Sequence, residues 1–269
     1  MTEGPERWAV PDIDAAVAEA KIRNGQGIKV VLDLLGENIR SPDASEIASR
    51  NYVDLIGVIQ DEGLNSSISV KLSSFGYIND LDKAFDSVIR VSDAAKASNV
   101  GFELDMEWTP MVDHTIEIAE RCSKAGHKVT IAIQAYLNRS ADDIGYLQDR
   151  NVKVRLVKGA YRGESSDFSD IQKRYIKLLT QLAGSRKDFS IGTHDPEILA
   201  FISEHLPHSK DRIEIGFLRG LCDETKMQLA SNGWKVVEYL PVGQEFKAYV
   251  KRREEYLRKL GELGRVPAP

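Results

Sequence analysis

The sequence predicts an α/β protein folded as a single closed (β/α)8 barrel over residues 1–269, and three observations lead there. Eight short β-branched or apolar runs alternate with longer helical patterns. The length of 269 residues suits one such barrel, which typically needs about 250. No Pro-, Gly- or Ser-rich linker interrupts the alternation. The Gly-rich turn that an open doubly wound sheet carries after a strand is also absent. That open sheet is the alternative architecture.

A polar lead-in occupies residues 1–27, with one amphipathic helix at about 13–24. Strands are predicted at 28–34, 68–72, 101–105, 128–134, 152–158, 189–193, 212–216 and 234–239. Most are near-continuous apolar runs, as parallel strands covered by helices require. The intervening helices carry start signals: Ser41-Pro42-Asp43, Asn79-Asp80, Thr109-Pro110, Ser140-Ala141-Asp142, Asp195-Pro196 and Cys222-Asp223-Glu224. A last helix, basic and partly amphipathic, runs over 244–260. It reads as a lid of the barrel in preference to a membrane anchor. The tail 265–269 is expected to be disordered.

Composition narrows the function. Hydrophobic content of 42%, charged content of 29% and a formal net charge of −5 describe an ordinary enzyme-like chain without the basic excess that tracks nucleic acid. The first twenty residues hold Glu3, Glu6, Asp12, Asp14 and Glu19, so no signal-peptide core or spanning segment is expected, and the expected location is cytoplasmic. Cys122 and Cys222, far apart and in helical contexts, read as reduced bystanders rather than a disulfide or a thiolate metal site.

Barrel active sites form at the C-terminal ends of the strands. Polar residues crowd those positions: Lys71 ends strand two, Asp105 and Glu107 end strand three, Gln134 ends strand four, and Arg155, Lys158 and Tyr161 run along and past strand five. Thr193 and His194 end strand six, and Tyr239 ends strand eight. Lys158, Glu107 and Thr193 could equally cap or solvate the rim. Arg155 lies between Val154 and Leu156; facing inward it needs an anion or an electron-rich ligand, and facing outward it would pair with a helix carboxylate. Lys71 could form a Schiff base if desolvated, whereas a nearby Asp105 would keep it charged. A metal site is not expected, because only His194 of the five histidines falls at a strand end and no paired-histidine motif occurs. Near the C-terminus, Arg252 and Arg253 present adjacent planar guanidinium forks from a helical pattern, suited to gripping a carboxylate or phosphate. Their other reading is a solvated helix face.

The segments Leu32-Asp33-Leu34-Leu35-Gly36-Glu37, Val70-Lys71-Leu72, Leu104-Asp105-Met106-Glu107, Gln134-Ala135-Tyr136, Arg155-Leu156-Val157-Lys158-Gly159-Ala160-Tyr161, Gly192-Thr193-His194 and Tyr239-Leu240-Pro241-Val242-Gly243, then Tyr249-x-x-Arg252-Arg253, occur in unbroken order. This set resembles the proline dehydrogenase family from about residue 28 to 256. The resemblance implies a distorted TIM-type (β/α)8 barrel with the last helix over its mouth. It also implies a flavin, FAD with FMN as the alternative, that oxidises L-proline to Δ1-pyrroline-5-carboxylate and passes electrons to a quinone-type acceptor, with membrane contact at most peripheral. On the same resemblance Arg252 and Arg253 hold the proline carboxylate. Lys71, Asp105, Tyr161, Leu218, Tyr239 and Tyr249 line the substrate pocket. Gln134, Arg155, Lys158, Gly159, Ala160, Thr193 and His194 contact the flavin, with Arg155 near N5.

The chain departs from the family pattern where Tyr256 replaces a glutamate and where Gly216-Phe217-Leu218-Arg219-Gly220 replaces Gln-x-Leu-Tyr-Gly, placing the extra charge of Arg219 at the mouth. These departures raise the alternative of a related cyclic imino acid such as hydroxyproline. A Schiff-base aldolase using Lys71 or Lys158, or a barrel that only binds an anion, are the alternatives from other classes.

Overall fold

The computed structural model of the chain describes residues 7–76, 80–161 and 163–264. Asn79, part of one helix-start signal, and the tail 265–269 lie outside the described residues. Among the described residues, β1 (Ile28–Leu34), β2 (Ser66–Val70), β3 (Gly101–Leu104), β4 (Val129–Gln134), β5 (Lys153–Val157), β6 (Phe189–Gly192), β7 (Ile213–Leu218) and β8 (Lys235–Val242) close in chain order into a parallel barrel. Helix α1 (Ile13–Gly25) precedes it. Helices α2 (Pro42–Asp61), α3 (Leu81–Ala97), α4 (Val112–Lys124), α5 (Ser140–Asp149), α6 (Phe168–Gly184), α7 (Pro196–His205), α8 (Asp223–Ser231) and α9 (Lys247–Glu262) each follow one strand.

The helix starts show why the short polar signals work. Ser41, Asp80 and Asp195 each accept a hydrogen bond from a backbone N–H of the first turn that follows, satisfying a donor the helix leaves orphaned. Thr109-Pro110 instead opens a 3-10 turn, Thr109–Met111, that leads into α4. Ser140 is not a cap, because its hydroxyl donates to the Gln134 carbonyl at 2.6 Å. Cys222 takes up a left-handed conformation ahead of α8 (φ 58°) and makes no capping bond.

Alternate residues of a barrel strand point inward, and residues from alternate strands meet in layers. The outward set (Val30, Leu32, Ile68, Val70, Leu104, Ile131, Leu156, Ile191, Ile215 and their neighbours) is fully buried under the helices and forms the apolar core. The inward set of this barrel mixes small and branched apolar residues such as Val31, Ala132, Val157 and Val237 with an unusual number of charged ones. Lys29 and Lys153 flank Glu214 at 3.7 and 3.2 Å, Arg155 meets Glu103 at 2.5 Å above them, and Asp33 and Asp105 stand one layer higher. Arg155 therefore faces inward, and its anions come from β3 and the residue just after it.

Two sequence expectations are corrected here. Tyr239 does not end β8, which runs on to Val242 because β1 pairs with it along its whole length, Ile28 with Val236 through Leu34 with Val242. The lead-in is not simply polar: Trp8, Ala9 and Val10 are buried, and Val10 adds a bridge to Val242, accepting from Gly243 at 2.8 Å.

Candidate active site

A cavity of about 880 Å3 opens at the C-terminal ends of the strands and reaches down into the polar barrel interior. Its volume falls in the range of about 300–1,000 Å3 common for small-molecule and cofactor sites. The residues that the resemblance assigns to substrate and flavin all line it: Lys71, Asp105, Gln134, Arg155, Lys158, Gly159, Ala160, Tyr161, Thr193, His194, Leu218, Tyr239, Tyr249, Arg252 and Arg253; Glu107, the other polar strand-end residue, does not.

At its centre lies an ion cluster. Lys71, the first residue after β2, donates to Asp33 Oδ2 at 2.6 Å and lies 3.4 Å from Asp105 Oδ2. Arg155 pairs with both Glu103 and Asp105. The Tyr239 hydroxyl donates to Asp105 Oδ2 at 2.9 Å and sits 3.2 Å from Ser69 Oγ. Burial pushes the Asp105 carboxyl up, but the Lys71 and Arg155 charges outweigh it and hold the group below the ordinary carboxylate range. For Asp33 burial wins, and its carboxyl is raised. Burial works against the Lys71 ammonium, yet Asp33 and its neighbours hold the pKa well above normal.

One wall is built by the loop after β5. Lys158 pairs with the fully buried Asp195 at 2.6 Å and sits over the Phe168 ring, 3.8 Å from its centroid. The reading of Lys158 as a solvated rim residue is thereby corrected, because it is buried against a carboxylate of the β6–α7 loop. Gln134 donates to the Glu107 carbonyl at 2.9 Å and accepts from Tyr136 at 2.5 Å, so its amide orientation is set from both ends. The loop closes on Tyr136 so tightly that a Cβ at Gly159 (φ +120°) would come within 1.8 Å of the ring. Glu107, buried, accepts from the Ser73 N–H and hydroxyl at 3.0 and 2.5 Å, and burial raises its pKa to about 7.

Across the cavity, His194 accepts the Leu218 N–H at Nε2, 2.8 Å, and burial lowers its pKa to about 3, so the ring is neutral. Tyr249, Arg252, Arg253 and Tyr256 recur at helical spacing and bring one face of α9 to the cavity. Arg252 pairs with Glu37 at 2.6 Å and lies 5.1 Å from the Tyr161 ring centroid; Arg253 lies 4.0 Å from the Tyr249 centroid. The Nε atoms of both arginines are buried without a hydrogen-bond partner, so the solvated-face reading of the pair is corrected. Tyr256 packs edge-on against His194.

Arg219 is also corrected. It is not among the lining residues; it points toward α1 and meets Glu19 at 3.6 Å. Sequence reasoning did not single out Asp33, Glu37, Glu103, Phe168 or Asp195 as site residues. The signal for Glu103 was period-two spacing, since it precedes Asp105 on the same strand face, and for Asp33 it was a lone charge within the apolar run 28–34.

Residues 16–256 match the family described as proline dehydrogenase. The chain is 32% identical over 263 residues to "Proline dehydrogenase 1" of Bacillus subtilis, covering 93% of this chain and 85% of that one. It is 31% identical over 253 residues to "Proline dehydrogenase" of Deinococcus radiodurans, covering 90% and 82%. Among solved structures, proline utilization A from Bdellovibrio bacteriovorus inactivated by N-propargylglycine superposes with a TM-score of 0.82 at 22% identity, over 92% of this chain. This chain spans about a third of that larger one, 32%. The protein is an enzyme of the barrel class, and the chain belongs to the proline dehydrogenase family.

Proposed function

We propose that the chain oxidises L-proline to Δ1-pyrroline-5-carboxylate with a bound flavin, FAD in preference to FMN. The observation that carries this reading is the arginine pair of α9 held, with buried Nε atoms lacking partners, over the cavity that contains the Lys71–Asp33–Asp105–Arg155 cluster. The flavin fits the residues present: the cavity is larger than a five-membered imino acid alone would fill, and the donors Arg155, Lys158, Gln134 and Thr193 gather on one part of its wall. When bound, the flavin supplies the two-electron sink that the protein's own side chains lack.

The rest of the mechanism belongs to this chain. Arg252 and Arg253 grip the proline carboxylate, which fixes one end of a small rigid ring and so orients its reacting carbon. Tyr161, Leu218, Tyr239 and Tyr249 pack the apolar ring edges and exclude water. Arg155, kept cationic by Glu103 and Asp105, stabilises negative charge that develops beside it. His194 stays neutral and holds the Leu218 backbone.

The ion pair to Asp33 holds Lys71 as an ammonium at rest, which disfavours the free amine that an aldolase would keep ready for a carbonyl substrate. Arg219 meets Glu19 and so adds no charge to the cavity wall, which removes one of the three departures behind the hydroxyproline alternative; Gly216 and Tyr256 still line the cavity. A quinone-type acceptor and a cytoplasmic, at most peripheral, location complete the reading. Among the described residues no helix is long and apolar enough to cross a membrane. The reading is tested by anaerobic addition of L-proline to the purified holoprotein: the flavin band should bleach, and a band that persists with proline but bleaches with hydroxyproline would replace the substrate.

A further inference from the structure

Asp33 is the anomaly of the barrel interior. Glu103 is engaged by Ser67 at 3.0 Å and by Arg155, and Glu214 by Lys29, Lys153 and Ser190. Asp105 takes Arg155 on one oxygen and Tyr239 on the other. Asp33 is fully buried, and one of its oxygens, Oδ1, receives no hydrogen bond, the one carboxylate oxygen of this kind among the described residues. The nearby Tyr239 hydroxyl has a single proton, which goes to Asp105. A buried carboxylate held by one donor is poorly compensated as an anion, whereas a neutral carboxyl there would leave only a carbonyl-type oxygen unpaired, at smaller cost.

The proposed reaction poses a proton problem that this arrangement answers. Proline arrives as an ammonium, and its nitrogen must lose a proton before it can push electrons toward the carbon that is oxidised. We propose, on the proline dehydrogenase reading given above, that Asp33 is the positioning residue through which Lys71 removes that proton. Lys71 passes one Nζ proton along the 2.6 Å contact to Asp33 Oδ2 and takes a proton from the substrate N–H in return. One N–H bond of the substrate breaks and one O–H bond forms on Asp33. Lys71 ends as it began, charged, and no electrons move between groups. Both residues border the cavity, and Asp33, fully buried, acts through Lys71.

The groups facing Asp33 are consistent with a proton that can come and go. Lys71 after β2 and the Tyr239 hydroxyl on β8 favour the anion, while burial and Asp105 after β3 oppose it; Arg155 on β5 and Tyr52 on α2 complete the surroundings.

The test is Asp33→Asn in the holoprotein, measured as the rate of flavin reduction by L-proline from pH 6 to pH 10. Alongside it run thermal melting and the affinity for the oxygen analogue of proline, tetrahydro-2-furoic acid, which has no ionisable amine. At neutral pH the variant should be slower by about a hundredfold or more. Its rate should climb about tenfold per pH unit as free proline sheds its own proton, while analogue affinity is not weakened. A variant that is slower by the same factor at every pH, that binds the analogue less tightly, or that matches the wild type overturns the proposal. Should the amide variant fail to fold, Asp33→Glu keeps the acid: it should retain the wild-type pH profile, and a steep profile there overturns the proposal as well. A wild type that proline does not reduce at all sinks the functional reading itself, a result separable from failure of the Asp33 role alone.

Discussion

Arg155 and Glu103, 52 residues apart in the chain, meet at 2.5 Å inside the barrel, where a chain of this fold usually packs branched aliphatic side chains. The pair exists because two parallel strands each place a charged residue on the inward face of the same layer. It converts a packed core into a polar floor for the cavity.

Removing one partner of that pair should be costly. Glu103→Ala leaves Arg155 with Asp105 alone, and the loss of one partner from a buried ion pair typically costs about 3–5 kcal/mol. Urea unfolding of the variant should show a midpoint well below wild type with an unchanged slope.

The arginine pair should report on substrate binding. Arg253→Met removes charge-assisted hydrogen bonds to the substrate carboxylate, each worth about 1.5–3 kcal/mol, so kcat/KM for proline should fall about tenfold to a hundredfold. Arg252→Lys also breaks the fork but keeps a positive charge beside Glu37, so the fold should stay intact by circular dichroism.

His194 and Glu107 should tilt stability with pH in different windows. His194 has its folded pKa lowered to about 3 from an ordinary 6.5, so its neutral ring favours the fold above 6.5. That contribution is lost by about 1.4 kcal/mol per unit as pH falls below 6.5 toward 3. Glu107 has its folded pKa raised from 4.5 to about 7, so its contribution is full below 4.5 and is lost as pH rises through 7. Denaturant unfolding from pH 4 to pH 8 checks both: His194→Gln should flatten the acid limb and Glu107→Gln the limb between 4.5 and 7.

Gly159 leaves no space. An added Cβ would fall 1.8 Å from Tyr136 at a φ that side chains avoid, so Gly159→Ala should lower stability by about 1–3 kcal/mol or more. It should also displace Lys158 and Tyr161 on either side. Thermal melting of the single variant and of the double variant with Tyr136→Ala checks this, with partial recovery expected in the double.

The strands were legible because apolar runs of the right length leave little choice of structure, and β1 was read to the residue. Caps such as Ser41 and Asp195 were legible because their chemistry is local. The end of β8 was missed because pairing with β1, a contact distant in sequence, extends it past Pro241. The cavity's lining residues were found through strand ends and an ordered set of motifs. Asp33 and Glu103 escaped because their importance lies in which layer they share with Lys71 and Arg155, and layers come from closure of the barrel. Arg219 was misplaced for a similar reason: only the packing of α1 against β8 brings Glu19 within its reach.

The central claim is most directly tested by one spectrum. Purified protein loaded with flavin and mixed anaerobically with L-proline should lose its visible flavin band, with Δ1-pyrroline-5-carboxylate formed one for one. A flavin that stays oxidised with both proline and hydroxyproline, or a protein that binds no flavin at all, would contradict the account.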